Sequence, residues 1–98
     1  MSTMPYRIDI YIGSDNGSRR IDSDYLNKVR QWANANLPNG YTLLRGEGYY
    51  GGVSEDSVLV NLLSDNEFSL KEPLEELKRE LSQEAILVVT SQVDLEVV

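Results

Sequence analysis

The residues best suited to binding chemistry form one stretch, Arg45–Gly52, with the sequence RGEGYYGG. Four glycines within residues 46–52 allow the backbone to approach a ligand closely and to present its amide groups. Tyr49 and Tyr50 offer aromatic faces for stacking and hydroxyl groups for hydrogen bonds. Arg45 offers a fixed guanidinium fork for a phosphate or carboxylate. The pattern predicts a ligand site built from Arg45, Gly46, Gly48, Tyr49 and Tyr50.

The same stretch also has a purely structural interpretation, which the sequence leaves open. The glycines are typical of a β-bulge in a hairpin, with the tyrosines packing on a sheet or on a subunit interface. Arg19 and Arg20 follow the first glycine-rich turn and are candidates for a second contact to an anionic ligand. Their alternative role is that of two solvated loop arginines.

Several common chemistries are missing from the residue inventory. The chain has no His and no Cys, which removes His-based and Cys-based nucleophilic pairs and most transition-metal sites. It has no phosphate loop and no dinucleotide-binding glycine motif. The segment beginning at Asp15 fails as a calcium loop, because Gly17 stands at the third position and Leu26 at the twelfth. We therefore predict no catalytic residue, no metal and no cofactor, and rank an enzyme acting through carboxylates and tyrosine last.

Composition favours one domain over residues 1–98, because 98 residues with 41% apolar content can bury a core. Nine basic and sixteen acidic residues give a net charge of −7, which repels phosphates and predicts no binding to DNA, RNA or anionic membranes. The apolar run 85–89 is too short to span a bilayer. No signal sequence is apparent in residues 1–5, and with no cysteine the expected location is the cytoplasm.

The hydrophobic pattern predicts six main elements and a short extension. Tyr6, Ile8, Ile10 and Ile12 alternate with polar residues, as in a strand with one buried face. The second helix begins either with a Ser69–Glu72 capping box or with Pro73 at its first position. The predicted elements are strand 6–13, a helix from Asp22 or Ser23 to the Pro38–Gly40 turn, strand 41–46, a loop or bulged hairpin end at 46–54, strand 57–63, a helix on the leucine stripe 70–81, strand 85–90 and a further short strand at 93–97.

This element order predicts an α+β fold, a ferredoxin-like βαββαβ sandwich. Its four-stranded antiparallel sheet carries two helices on one face, and the short C-terminal strand is an addition. Apolar residues such as Leu44, Leu59 and Leu63 are expected on the opposite face. Domains of this kind commonly cover that face by self-association, so we predict a homo-oligomer in which the extra strand pairs with a neighbour's edge.

Four segments carry a resemblance. They are similar to segments of a family of short bacterial and phage-borne proteins known only as a domain of unknown function. The four segments are Ile12–Gly17, Leu37–Leu43, Gly46–Tyr49 and Ser82–Val88. The resemblance covers about residues 8–96, and its motifs mark turns and strands rather than catalytic groups. Tyr49 stands where members often have Trp.

The layout also resembles PII-type signalling proteins, which are ferredoxin-like trimers that bind nucleotides between subunits near the loop joining strands two and three. Here that loop is short and has no PII-like basic clamp. The resemblance implies a location for a ligand rather than its identity.

Two functions of different classes follow. The first is an oligomeric domain that binds a small anionic ligand of nucleotide type, for which the phage resemblance suggests a sponge for host immune nucleotide signals. The second is a non-enzymatic protein–protein interaction or structural oligomer, which recognises its partner through the open sheet face.

Overall fold

The computed structural model of the chain describes residues 5–65 and 69–98. Residues 1–4, on which part of the signal-sequence prediction rests, lie outside this range. The described elements are β1 (Tyr6–Gly13), α1 (Ser23–Asn36), β2 (Thr42–Tyr50), β3 (Val53–Ser64), α2 (Lys71–Glu80) and β4 (Leu87–Gln92). The strands form one antiparallel sheet in the order β2-β3-β1-β4, and the ferredoxin-like α+β fold is confirmed.

The core lies between the two helices and one face of the sheet. Ile8, Ile10 and Ile12 project from β1 toward the helices, and β3 contributes Val58, Val60 and Leu62 beside them. All six side chains are buried. The period-two alternation of β1 therefore identifies the covered face correctly, because successive side chains of a strand point to opposite faces.

Helix α1 begins as its capping residues predict. Asp22 is the N-cap, and its Oδ1 accepts a hydrogen bond from the Tyr25 amide at 2.9 Å. The helix ends when the Leu37 amide donates to the Ala33 carbonyl at 2.8 Å, directly before Pro38. A side-chain acceptor at the start and a proline after the end explain both boundaries.

Helix α2 begins differently from both predicted starts. Its first residue is Lys71, and the Ser69 hydroxyl accepts from the Lys71 amide at 3.3 Å instead of forming a capping box with Glu72. Pro73 is the third helical residue, where its missing N–H costs nothing because the first four amides have no partner within a helix. The Trp32 indole donates to the Pro73 carbonyl at 2.8 Å and joins the two helices.

Of the two alternatives predicted for 46–54, the hairpin end is correct, but it contains neither a bulge nor a long loop because the strands continue through the segment in unbroken register. β2 and β3 pair as far as Tyr50 and Val53, and only Gly51 and Gly52 form the turn, with φ of 58° and 78°. Two consecutive positive φ values suit a two-residue hairpin turn, so the ladder needs no longer loop. Since β1 stops at Gly13, opposite Ser57, residues 47–56 extend past it as a two-stranded hairpin arm.

The further strand predicted at 93–97 does not form within the single chain. Residues 93–98 have no strand assignment, and the Val93 amide donates to the Pro5 carbonyl at 2.9 Å. β4 lies at the edge of the sheet and its ladder with β1 ends at the pair of Tyr6 with Gln92, so residues 93–98 join no strand of the part of the chain that the structure describes. Across residues 5–65 and 69–98, neither helix is long and apolar enough to cross a membrane.

Candidate functional site

The sheet face that lies opposite the helices carries an apolar row across all four strands. Leu44 pairs with Leu59, Leu59 with Tyr11, and Tyr11 with Leu87, so one side chain from each strand contributes. We call these four residues the open-face row. Tyr11 is 42% exposed, Leu44 53% and Leu87 62%, and no element of the described chain covers them.

A polar group lies beside the open-face row on the same face. The Asn61 amide nitrogen donates to Asp9 Oδ1 at 2.6 Å, and Arg7 Nε lies 3.3 Å from Asp9 Oδ2. Asp9 is only 9% exposed, and both of its oxygens have a partner. A buried carboxylate is tolerated when it is paired and hydrogen-bonded. Arg7, Asp9 and Asn61 therefore form an ordered polar group on the open face.

The pleat of β2 divides the predicted ligand site between two faces. Arg45 pairs with Val58, a core residue, so Arg45 and Tyr49 belong to the helix side of the sheet. Gly46, Gly48 and Tyr50 alternate with them and belong to the open side. The stretch therefore forms a strand with side chains on two faces rather than one continuous loop, and its role as a ligand site stays a prediction.

Two side chains of Arg45–Gly52 form hydrogen bonds within the protein, and a third extends into solvent. Arg45 Nη2 donates to the Ile21 carbonyl at 2.9 Å and ties the loop before α1 to β2. The Tyr49 hydroxyl donates to Glu47 Oε2 at 3.0 Å. Tyr50 is 85% exposed on the hairpin arm.

Arg19 and Arg20 lie in a loop that is fastened to the arm. Arg19 has a φ of 59°, and its carbonyl accepts from the Asp56 amide at 3.0 Å. The Asp56 carboxylate in turn accepts from the Ile21 amide at 2.9 Å. These reciprocal bonds hold the two arginines against the base of the arm rather than leaving them on a free loop.

The loop and the arm enclose a concave surface of about 330 Å³, which we call the mixed-charge cleft. Two arginines, three acidic residues and two serines contribute to its lining. Its residues are Ser18, Arg19, Arg20, Glu47, Ser54, Glu55 and Asp56.

A second polar group lies where β1 ends. Ser14 is 1% exposed, and its hydroxyl donates to Glu55 Oε2 at 3.3 Å. Gln83 Nε2 donates to the Ser14 carbonyl at 2.6 Å, and the Tyr25 hydroxyl donates to the Gly13 carbonyl. We call Gly13, Ser14, Tyr25, Glu55 and Gln83 the β1-end cluster.

Glu55 joins the β1-end cluster to the mixed-charge cleft. Its aliphatic part lies over Gly48, where a Cβ would be 3.7 Å from the Glu55 Cγ. Its carboxylate accepts from the buried Ser14 hydroxyl, and Glu55 is also one of the residues that line the cleft. Glu55 is therefore the residue that the β1-end cluster and the mixed-charge cleft share.

The electrostatics of this region favour a neutral phenol and an ionised loop carboxylate. Burial, followed by the negative charges of Asp15 and Glu55, raises the pKa of Tyr25 to about 12. The Ser18 amide, which donates to Asp15 at 2.9 Å, lowers the pKa of the Asp15 carboxyl. Tyr25 is thus a stable hydrogen-bond donor at neutral pH.

Sequence reasoning did not select four residues of the β1-end cluster: Ser14, Tyr25, Glu55 and Gln83. A signal existed, since Ser14 and Gln83 lie in two of the segments that carry the family resemblance, where they were interpreted as turn markers. Within residues 5–65 and 69–98, no set of three His, Cys, Asp or Glu side chains is placed to hold a metal ion.

No protein-family model and no curated protein matches the chain. Among solved structures, it is similar to a phage SAM lyase in the apo state, with a TM-score of 0.68, 16% identity and coverage of 94% of this chain and 83% of that one. It is also similar to a phage SAM lyase in complex with S-methyl-5'-thioadenosine, with a TM-score of 0.60, 15% identity and coverage of 94% and 84%. These similarities show a shared fold.

Proposed function

We propose that the protein is a self-associating, non-catalytic binding domain that holds a small nucleoside-type ligand in the mixed-charge cleft. The observation that carries the proposal is the presence of two arginines and three acidic residues in the lining of one concavity of ligand size. Carboxylates accept hydrogen bonds from ribose hydroxyls, and a guanidinium binds a phosphate or a base edge. Tyr49, next along this side of the arm, supplies an aromatic face for the base.

The charge balance of the cleft narrows the class of ligand. Three carboxylates against two guanidinium groups disfavour a polyphosphate, because like charges in one site repel. A nucleoside or a nucleoside monophosphate fits better than a triphosphate. The S-methyl-5'-thioadenosine bound to one structurally similar protein is a ligand of this low-charge class and supports the choice. Sequestration of a nucleotide signal is the form of this function that the phage resemblance suggests.

The open-face row supports self-association. Monomeric proteins rarely expose contiguous apolar patches of more than a few hundred Å², and this row crosses the whole sheet. A second copy that covers the row would lie beside the β1-end cluster, because Tyr11 precedes Gly13 on the same strand face.

The ligand proposal is tested by calorimetric titration with adenosine, S-methyl-5'-thioadenosine, AMP and ATP. We expect the nucleosides or AMP to bind and ATP to bind at least about tenfold more weakly, since each 1.4 kcal/mol changes affinity tenfold. Glu55→Gln and Arg20→Ala should weaken binding, whereas Arg30→Ala, which removes an equal charge from α1, should not. Recovery of the unchanged ligand by mass spectrometry would support binding without catalysis.

If none of the four nucleosides and nucleotides binds, the ligand proposal is contradicted and the interaction or structural oligomer remains as the proposed function. That function, a structural or protein–protein interaction oligomer, depends on the open-face row alone. Native mass spectrometry over a concentration series tests it: Leu44→Asp together with Leu87→Asp should yield the monomer. Ala35→Asp adds a charge to the exposed side of α1 and should leave the oligomer intact. A monomeric unmodified chain would contradict self-association through this face.

A further inference from the structure

The outer edge of β4 has no partner strand. β4 pairs with β1 on one side, and no described residue pairs with its other side. An exposed strand edge presents a row of unpaired backbone donors and acceptors, which makes it a template for another extended segment. The edge also has no proline among Leu87–Gln92 to prevent such pairing.

A groove of about 450 Å³ runs beside this edge, between α2 and the end of the sheet. Leu70, Leu74, Ile86 and Val88 supply apolar surface to it, so a strand added at the β4 edge would find a surface for its own apolar side chains. Two lysines and two glutamates also line the groove, so its charges balance. The whole chain has a net charge of −7 and repels other acidic segments. The groove itself carries no net charge, so it does not add to that repulsion.

The segment 93–98, which we call the tail, has the sequence of a strand without the structure of one. Val93, Leu95 and Val97 alternate with Asp94 and Glu96. Leu95 is 53% exposed and Val97 90% exposed, so the tail does not bury its apolar face against its own chain.

The tail is poorly placed to pair with β4 of its own chain. The Val93 amide bonds the Pro5 carbonyl, so the chain still runs along the end of β1 at that residue. A reversal after Val93 takes at least about two residues for the turn and leaves about three to pair. A tail from another molecule meets no such restriction.

We infer that the tail of one copy adds as a fifth strand to the β4 edge of a second copy. Its apolar side chains fill the groove between α2 and β4 of that copy, and its acidic side chains point to the other face of the sheet. This contact is separate from the open-face row and does not depend on ligand binding.

The test is hydrogen exchange of the intact chain at several protein concentrations, compared with a chain truncated after Gln92. At high concentration we expect the amides of β4 to exchange at least about tenfold more slowly in the intact chain than in the truncated chain. The tail amides of the intact chain should exchange more slowly at high than at low concentration. Dilution should remove this protection. Equal exchange of β4 in the two chains, or tail protection that does not change with concentration, would overturn the inference.

A point variant separates strand pairing from simple loss of the tail. Leu95→Pro removes one backbone donor and should abolish the protection of β4, while Leu95→Val keeps a strand-forming residue and should preserve it. Leu95 lies outside the core, so both variants should show the unfolding midpoint of the unmodified chain at low concentration. Protection of β4 that survives Leu95→Pro or the truncation would assign the edge to another segment and contradict the proposal.

Discussion

The two faces of the sheet are built from the same four strands but differ in what covers them. On the helix side, Ile10 is fully buried among its neighbours. One residue further along the same strand, Tyr11 belongs to the open-face row and is 42% exposed. Both faces are apolar at their centre, yet only one has a layer of helices above it.

This difference indicates that the chain carries more apolar surface than its own fold covers. Two helices suffice for one face of a four-stranded sheet, and each strand nevertheless places an apolar residue at the same level of the other face. The polar group around Asp9 limits the apolar area on one side of the row. The open face therefore combines an apolar strip with a fixed polar border, as protein interfaces do.

The largest expected effect tests the covered face. Ile10→Ala should lower the free energy of unfolding by about 3–4 kcal/mol, because it removes buried methyl groups and leaves a cavity. Urea unfolding at low protein concentration measures the change. If the loss is below about 1 kcal/mol, the helix side is not the main core of the monomer.

The second prediction concerns the polar border of the open face. Asn61→Ala should cost about 2 kcal/mol, because it leaves an oxygen of the buried Asp9 carboxylate without its 2.6 Å donor. Urea unfolding measures it, and Thr42→Ala, which alters the exposed cross-strand neighbour of Asn61, serves as the control. An equal loss in both variants would show that Asp9 gains little from this bond.

The third prediction concerns the β1-end cluster, where the two faces meet. Tyr25→Phe should cost about 1 kcal/mol at neutral pH through loss of the bond to Gly13. Because burial raises the pKa of Tyr25 from 10.0 to about 12, the unfolded phenol ionises first as the pH rises. Stability should be full below pH 10 and decline between pH 10 and pH 12.

Urea unfolding between pH 10 and pH 12 measures the decline in the free energy of unfolding. The Tyr25→Phe variant should show a smaller decline, because it has no phenol to ionise. If the two chains lose stability in parallel as the pH rises, the phenol does not ionise differently in the folded and unfolded states.

The smallest expected effect is on the open face. Leu44→Ser should change the free energy of unfolding of the monomer by less than about 0.5 kcal/mol, because Leu44 is already 53% exposed. At high concentration the same change should lower the apparent stability, since association stabilises the folded state by mass action. Urea unfolding at several concentrations compares the two regimes, and a concentration-independent loss would contradict self-association through this row.

The sequence predicted most of the fold because its main signals are local. The alternation around Ile8–Ile12 identified the covered face of β1, and Asp22 was recognisable as a cap from its position before an apolar-periodic segment. The start of α2 was missed because Pro73 is acceptable at several positions of a first turn, so residue type alone did not select one.

The hairpin arm was missed because glycine content alone does not distinguish a bulge from a strand that ends in a glycine turn. Gly51 and Gly52 form the turn, while Gly46 and Gly48 occupy ordinary strand positions. The tail was predicted as a strand from alternation, but a strand also needs a partner, and none of the described strands pairs with it.

The candidate site was less predictable than the fold because its contacts join distant parts of the chain. Gln83 lies 69 residues from the Ser14 carbonyl to which it donates, and Glu55 lies 41 residues from the Ser14 hydroxyl. No local pattern reports such a pair. The selected arginines Arg19 and Arg20 did reach a ligand-sized cleft, whereas Arg45 bonds the backbone of a loop.

The strand order has a consequence for how the chain folds. The central pair, β1 and β3, is separated along the chain by a helix and a whole strand, and Asp9 is 52 residues from Asn61. The hairpin of β2 and β3 needs only the Gly51–Gly52 turn and can form early. We expect closure of the long loop to limit the rate, so that the chain folds more slowly than a helical bundle of similar size. Until β1 docks, both faces of that early hairpin are in water.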